Sequence, residues 1–143
     1  MVDAQVVVAK LRLINEYTHD LEEMRGISLA EYTADTMRQR AVERTLTNLI
    51  QCCIDLAQHI RSAEQLSPSG TSKQEIEALA TAGILSPETG TRLEDAVGFR
   101  NILTHRYGDI DHEVVHSILH EDLLWFETFQ QEIAQWFKLQ RND

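Results

Sequence analysis

Apolar positions return along this chain at steps of three and four, the spacing of amphipathic helices rather than of strands. Over residues 4–25, Val7, Ile14 and Leu21 recur every seventh position. Tyr17 and Met24 fill the stripe, Lys10 interrupts it, and Gly26 marks its end. A longer stripe of Val42, Leu46, Leu49, Cys53, Leu56 and Ile60 predicts a second long helix, capped by Asp35 and reaching about Ala63. Between the two, Ser28 and Glu31 have capping-box spacing and predict a short turn. Leu66-Ser67-Pro68-Ser69-Gly70-Thr71 is the clearest loop. Ser72 and Glu75 repeat the capping-box spacing and open a short helix that Gly83 closes. Ser86-Pro87-Glu88 supplies a cap, a proline at the first helical position and an acid near the positive helix end. The helix that follows carries Leu93, Ala96, Val97 and Leu103 and is expected to stop near Gly108. Asp111 is placed to cap a last helix running through Val115, Leu119, Phe126, Phe129, Ile133 and Trp136. Long helices joined by short loops predict an all-α antiparallel helical bundle, with residues 1–143 as one domain.

Composition agrees with this pattern. Six glycines and two prolines in 143 residues are too few for the many turns of an all-β fold. Apolar residues make up 43% of the chain, enough for a core of its own. No apolar run approaches the roughly 18 residues of a membrane span, and the first residues lack the basic-then-apolar order of a secretory signal. A cytoplasmic protein is expected. Cys52 and Cys53 are adjacent and diverge by about 100° on a helix, so they are expected as reduced thiols. The formal charge of −10 argues against non-specific coating of nucleic acid, while leaving room for a local basic cleft.

Candidate chemistry concentrates in Gly98-Phe99-Arg100-Asn101-Ile102-Leu103-Thr104-His105-Arg106-Tyr107-Gly108, which contains the pattern R-N-x-x-x-H-x-Y. Taken alone, this is also what a helix end looks like when His105 and Arg106 face its negative pole. With that pattern the chain resembles the HEPN superfamily and, within it, the HepT toxins. Arg100, Asn101 and His105 match the HEPN signature, and Tyr107 matches the tyrosine of the HepT form. A second match runs from Arg40-Ala41-Val42-Glu43-Arg44 to Ile54-Asp55-Leu56-Ala57, and the likeness spans roughly residues 5–135.

The resemblance implies the toxin of a type VII-like toxin–antitoxin pair: a metal-independent, cofactor-free endoribonuclease whose partner is a minimal nucleotidyltransferase antitoxin. RNA supplies its own nucleophile, the 2′-hydroxyl. His105 is then the base or acid, Arg100 offers its planar fork to the developing phosphorane charge, and Asn101 orients the histidine or holds a phosphate or base edge. The resemblance also makes Tyr107 the acceptor of AMP from ATP. Its alternative is a hydroxyl packed at the cleft. The rival function is a non-catalytic HEPN module that binds nucleotide or scaffolds its transferase partner, or else acts as the antidote.

Helix geometry complicates the site. Arg100 and His105 lie about 140° apart on an ideal helix, whereas Arg100 and Tyr107 lie only about 20° apart. Either the helix ends near His105, or a second subunit completes the site, and the HEPN resemblance favours a homodimer with two motifs facing one cleft. Arg92 and Arg106 near the motif, and Arg38, Arg40 and Arg44 on the long helix, are expected to form a basic surface, although each taken singly also suits a solvated helix face. His112, His116 and His120 fall on one face of the last helix, where a solvated or interface stripe is expected ahead of a metal site.

Overall fold

The computed structural model describes residues 1–67 and 70–142, which include seven α-helices and no strand. The helices are α1 (Ala4–Glu23), α2 (Leu29–Ala34), α3 (Thr36–Ala63), α4 (Ser72–Thr81), α5 (Pro87–His105), α6 (His112–Ser117) and α7 (Leu123–Arg141). Pro68 and Ser69 of the expected loop lie outside the described residues.

Local chemistry starts most of them. Asp3 Oδ1 accepts from the N–H of Gln5, Ser28 Oγ from Glu31, Asp35 Oδ1 from Arg38, and Asp111 Oδ1 from Glu113. Each satisfies an N–H that the first helical turn leaves without an intrahelical partner, typically worth about 1 kcal/mol. One cap differs from the sequence expectation. Thr71, not Ser72, caps α4 by accepting from the N–H of Gln74, and Glu75 turns away to pair with Arg61 of α3. A half-buried guanidinium competes better for that carboxylate than the backbone N–H of the cap residue does.

Pairwise contacts fix an antiparallel arrangement around α3. The start of α1 meets the end of α3, where the Met1 ammonium donates to the Ala63 carbonyl and the Asp3 N–H to His59 Nε2. Arg25, just past α1, reaches the His120 carbonyl ahead of α7. α4 and α5 approach closely at Gly90, where an added Cβ would stand 2.8 Å from the Ala80 Cβ. The α5–α7 contact is held by Glu132, whose carboxylate accepts from the Ser86 N–H at 2.6 Å and from the Thr89 hydroxyl at 2.7 Å.

The core follows the two stripes. Val7, Ile14 and Leu21 of α1 are buried, as are all six stripe positions of α3. Burying each such side chain contributes about 1.5–3 kcal/mol. The last helix is not continuous: α6 and α7 are separated by a wider π-type turn over Ile118–Asp122. Buried Val115, Leu119 and Leu123 follow one another at steps of four, which fits the wider i→i+5 turn.

Candidate functional site

The expected site residues all lie at or beyond the C-terminal half of α5. That helix is launched by Ser86, whose Oγ accepts from the Thr89 N–H at 3.2 Å, with Pro87 in the first turn. Buried Leu93, Val97 and Leu103 hold it against the core. The helix ends at His105, three residues earlier than the expected stop. Arg106 caps it at φ −131° and ψ 42°, and its N–H donates to the Ile102 carbonyl at 2.9 Å. A single 3-10 turn, Tyr107–Asp109, follows. Arg106 Nε donates to Asp109 Oδ2 at 3.1 Å and closes that turn.

This ending changes the helix-wheel argument. His105 is the last helical residue, so it keeps the direction about 140° from Arg100 that the wheel assigns. Tyr107 has left the helix, so the near-coincidence of its direction with Arg100 does not carry over. Among the described residues no side-chain hydrogen bond joins Arg100, Asn101, His105 and Tyr107 to one another. The structure brings them to one end of α5 without locking them together.

Their environments differ in a way that suits different roles. Arg100 is half-buried, and its Nη2–H donates to Ser72 Oγ of α4 at 3.5 Å. Its Nε is buried without a hydrogen-bond partner among the described residues. Asn101 and His105 are exposed. Tyr107 is 77% exposed, whereas Tyr32 is fully buried and Tyr17 half-buried. Burial, with Glu43 nearby, pushes the Tyr32 phenol well above its ordinary value. Tyr107 is therefore the most exposed of the three tyrosines.

Two expectations about charge are revised. Most of the proposed basic surface is neutralised locally: Arg38 pairs with Asp35 at 3.4 Å, Arg40 with Glu43 at 3.1 Å and Arg106 with Asp109 at 3.1 Å. Arg92 lies over the Trp125 ring at 5.1 Å, beside Asp122, whose carboxyl is pushed up by burial. Arg100 is the motif cation that makes no ion pair with a carboxylate among the described residues. The histidine stripe, for its part, is half-buried and packs within the chain. His116 and His120 rings lie 4.0 Å apart, His116 Nε2 meets the Ile27 carbonyl, and His120 Nδ1 meets the His116 carbonyl. Tyr32 packs against His112 and His116. The stripe secures α6 to α2, because a turn of six residues needs partners that its own backbone cannot supply.

Sequence reasoning missed Ser72 and Lys73, the first turn of α4. Lys73 lies across Gly98, with its Nζ 3.3 Å from where a Cβ would stand. The only trace in the sequence is a glycine two positions before Arg100.

An all-helical domain of the HEPN type, with R-N-x-x-x-H-x-Y at the end of one helix, is the class that this fold and site define. A family model described as Ribonuclease HepT-like matches residues 14–133. The chain belongs to this family and is by family a ribonuclease. It is 29% identical over 132 residues to the tRNA nuclease HepT of Aphanizomenon flos-aquae, covering 92% of this chain and 90% of the relative. It is 25% identical over 124 residues to the mRNA nuclease HepT of Shewanella oneidensis, covering 87% and 92%. Among solved structures it resembles the tri-AMPylated Shewanella oneidensis HEPN toxin in complex with MNT antitoxin, at a TM-score of 0.85 and 24% identity over 94% of this chain and 99% of that one. YutE of Bacillus subtilis, a cytosolic protein of unknown function, shares the fold at a TM-score of 0.86 and 14% identity, over 97% and 93% of the two chains.

Proposed function

We propose that this chain is the toxin of a toxin–antitoxin pair, an endoribonuclease that cleaves RNA without a metal and is silenced by AMPylation of Tyr107. The observation that carries this is the graded exposure at the end of α5: a half-buried Arg100 without an ion pair, an exposed His105, and Tyr107 as the exposed tyrosine.

In the cleavage step His105 takes the proton of a ribose 2′-hydroxyl, whose oxygen attacks the adjacent phosphorus. The bond to the 5′-oxygen breaks, that oxygen leaves with a proton, and a 2′,3′-cyclic phosphate remains. Arg100 stabilises the charge that grows on the non-bridging oxygens. The two side chains point about 140° apart, so one copy of the motif does not surround a single phosphate. A homodimer supplies a second His105 as the acid. An apolar groove of about 270 Å³ lined by Phe99, Val114, Ile118 and Trp125 flanks α5 and suits such a contact.

Two relatives are named nucleases of tRNA and mRNA, and one solved relative is AMPylated in complex with its antitoxin. By that likeness the partner here is a minimal nucleotidyltransferase. Tyr107 Oη attacks the α-phosphorus of ATP, pyrophosphate leaves, and a phosphodiester charge with its nucleoside is placed beside the motif. The setting is cytoplasmic, where ATP and RNA are both present.

The test is cleavage of unfractionated tRNA and of an mRNA transcript in EDTA by the purified chain, before and after incubation with partner, ATP and Mg²⁺, with intact mass recorded on both samples. Cleavage in EDTA that falls as AMP units appear supports the proposal. RNA left whole by the unmodified protein refutes it in favour of a non-catalytic nucleotide-binding or scaffold module. Toxicity of the partner expressed alone, relieved by this chain, makes this chain the antidote.

A further inference from the structure

Arg100 on α5 and Lys73 on α4 both lack carboxylate partners within ion-pair distance among the described residues. They are brought together because α4 and α5 pack antiparallel, which sets the first turn of α4 against the last two turns of α5. Ser72 Oγ accepts from Arg100 Nη2–H at 3.5 Å. The aliphatic end of Lys73 lies flat over Gly98, with Nζ and Cε at 3.3 and 3.5 Å from the position of a Cβ there. Any other residue at 98 would meet that side chain.

The helix wheel then gives Lys73 a direction. Gly98 and His105 are seven residues apart, so they share a face of α5 within about 20° and stand about 10 Å apart along its axis. Lys73, lying over Gly98, is on the His105 face, while Ser72 of the same turn touches Arg100, on another face. Acidic neighbours are close: Lys73 acts on Glu94, whose carboxyl is pushed up chiefly by partial burial and further by Glu77 and Asp95. Without Lys73 that stretch of surface would repel a phosphate backbone.

Resting on the ribonuclease reading above, we infer that the first turn of α4 is the second wall of the RNA site, with Ser72 as a positioning residue for the Arg100 guanidinium and Lys73 as a contact to a flanking phosphate. Ser72 limits the swing of a fork whose buried Nε has no partner among the described residues. Its effect belongs to the chemical step. Lys73 neutralises a phosphate that does not react, so its effect belongs to binding.

The experiment is steady-state cleavage of unfractionated tRNA by wild type, Ser72→Ala, Ser72→Thr, Lys73→Gln and His105→Ala, with binding to a labelled mixed-sequence single-stranded RNA measured over a salt series for His105→Ala and for His105→Ala with Lys73→Gln. Ser72→Ala is expected to lower kcat about five- to tenfold with little change in KM, the loss of one long hydrogen bond. Ser72→Thr keeps the hydroxyl and is expected to restore it. Lys73→Gln is expected to raise KM with kcat retained, and to lessen the salt slope by about 0.7, one phosphate contact on a single strand. Ser72→Ala and Lys73→Gln cleaving as wild type while His105→Ala is inactive would overturn the inference and leave the ribonuclease reading standing. So would a Ser72→Ala defect that Ser72→Thr does not repair. A wild type that leaves both tRNA and an mRNA transcript whole removes the ribonuclease reading, and this inference with it; if only the transcript is cleaved, the same variants are compared on it.

Discussion

At the residue scale, exposure separates the members of the motif. His105→Ala is expected to abolish RNA cleavage, because it removes the one imidazole at the end of α5. Arg100→Ala is expected to lower kcat by about 10²- to 10³-fold, by analogy with removing one oxyanion donor. Cleavage that survives both substitutions would place the chemistry elsewhere. Tyr107→Phe removes the acceptor oxygen and keeps the ring. That variant is expected to fold, to cleave RNA, and to gain no AMP from an active partner; a mass increase mapped to Tyr17 or Tyr32 would refute the assignment. The two thiols belong to the opposite environment. Cys52 and Cys53 are buried and reduced, and desolvation raises both, Cys53 well above the ordinary thiol value. Since the thiolate is the reactive form, the native protein is expected to react slowly with an alkylating agent and rapidly once unfolded in urea.

At the scale of elements, the site depends on how α5 is held at its far end. Glu132 of α7 accepts from the Ser86 N–H and the fully buried Thr89 hydroxyl. Glu132→Ala leaves both donors without that acceptor and is expected to cost about 1–3 kcal/mol in urea denaturation. Gly90 sets the approach of α4 to α5, where an added Cβ meets the Ala80 Cβ at 2.8 Å. Neither partner there is a flexible chain end, so Gly90→Ala is expected to cost about 1–3 kcal/mol and to disturb the Ser72–Arg100 contact through the same packing. A Gly90→Ala protein of unchanged stability would show that the helices separate freely.

For the whole molecule, the proposed mechanism draws on a second copy of the chain. Light scattering at micromolar concentration is expected to give a dimer. A stable monomer that still cleaves RNA would remove the argument that the diverging Arg100 and His105 need a second copy. None of the described helices is long and apolar enough to cross a membrane. The acidic whole and the cationic motif are compatible because Arg38, Arg40 and Arg106 are paired locally while Arg100 is not.

What the chain determined by itself is local. Steps of three and four placed α1 and α3, and short polar side chains at Asp3, Ser28, Asp35, Ser86 and Asp111 started helices, because a cap needs only the next three residues to act. The motif residues were legible as a set, since R-N-x-x-x-H-x-Y is contiguous. Their relations were not. Whether α5 runs to Gly108 or stops at His105 depends on Arg106 and Asp109 closing a turn, and the break between α6 and α7 depends on packing steps of four against other helices. Ser72 reaches Arg100, and Lys73 reaches Gly98, only because α4 folds back antiparallel on α5; Ser72 and Arg100 stand 28 residues apart in the chain. Helix formation is decided within a turn or two of chain. Which charges are paired, which tyrosine is exposed and which side chains share a wall are decided by what packs beside them, and that is fixed only in three dimensions.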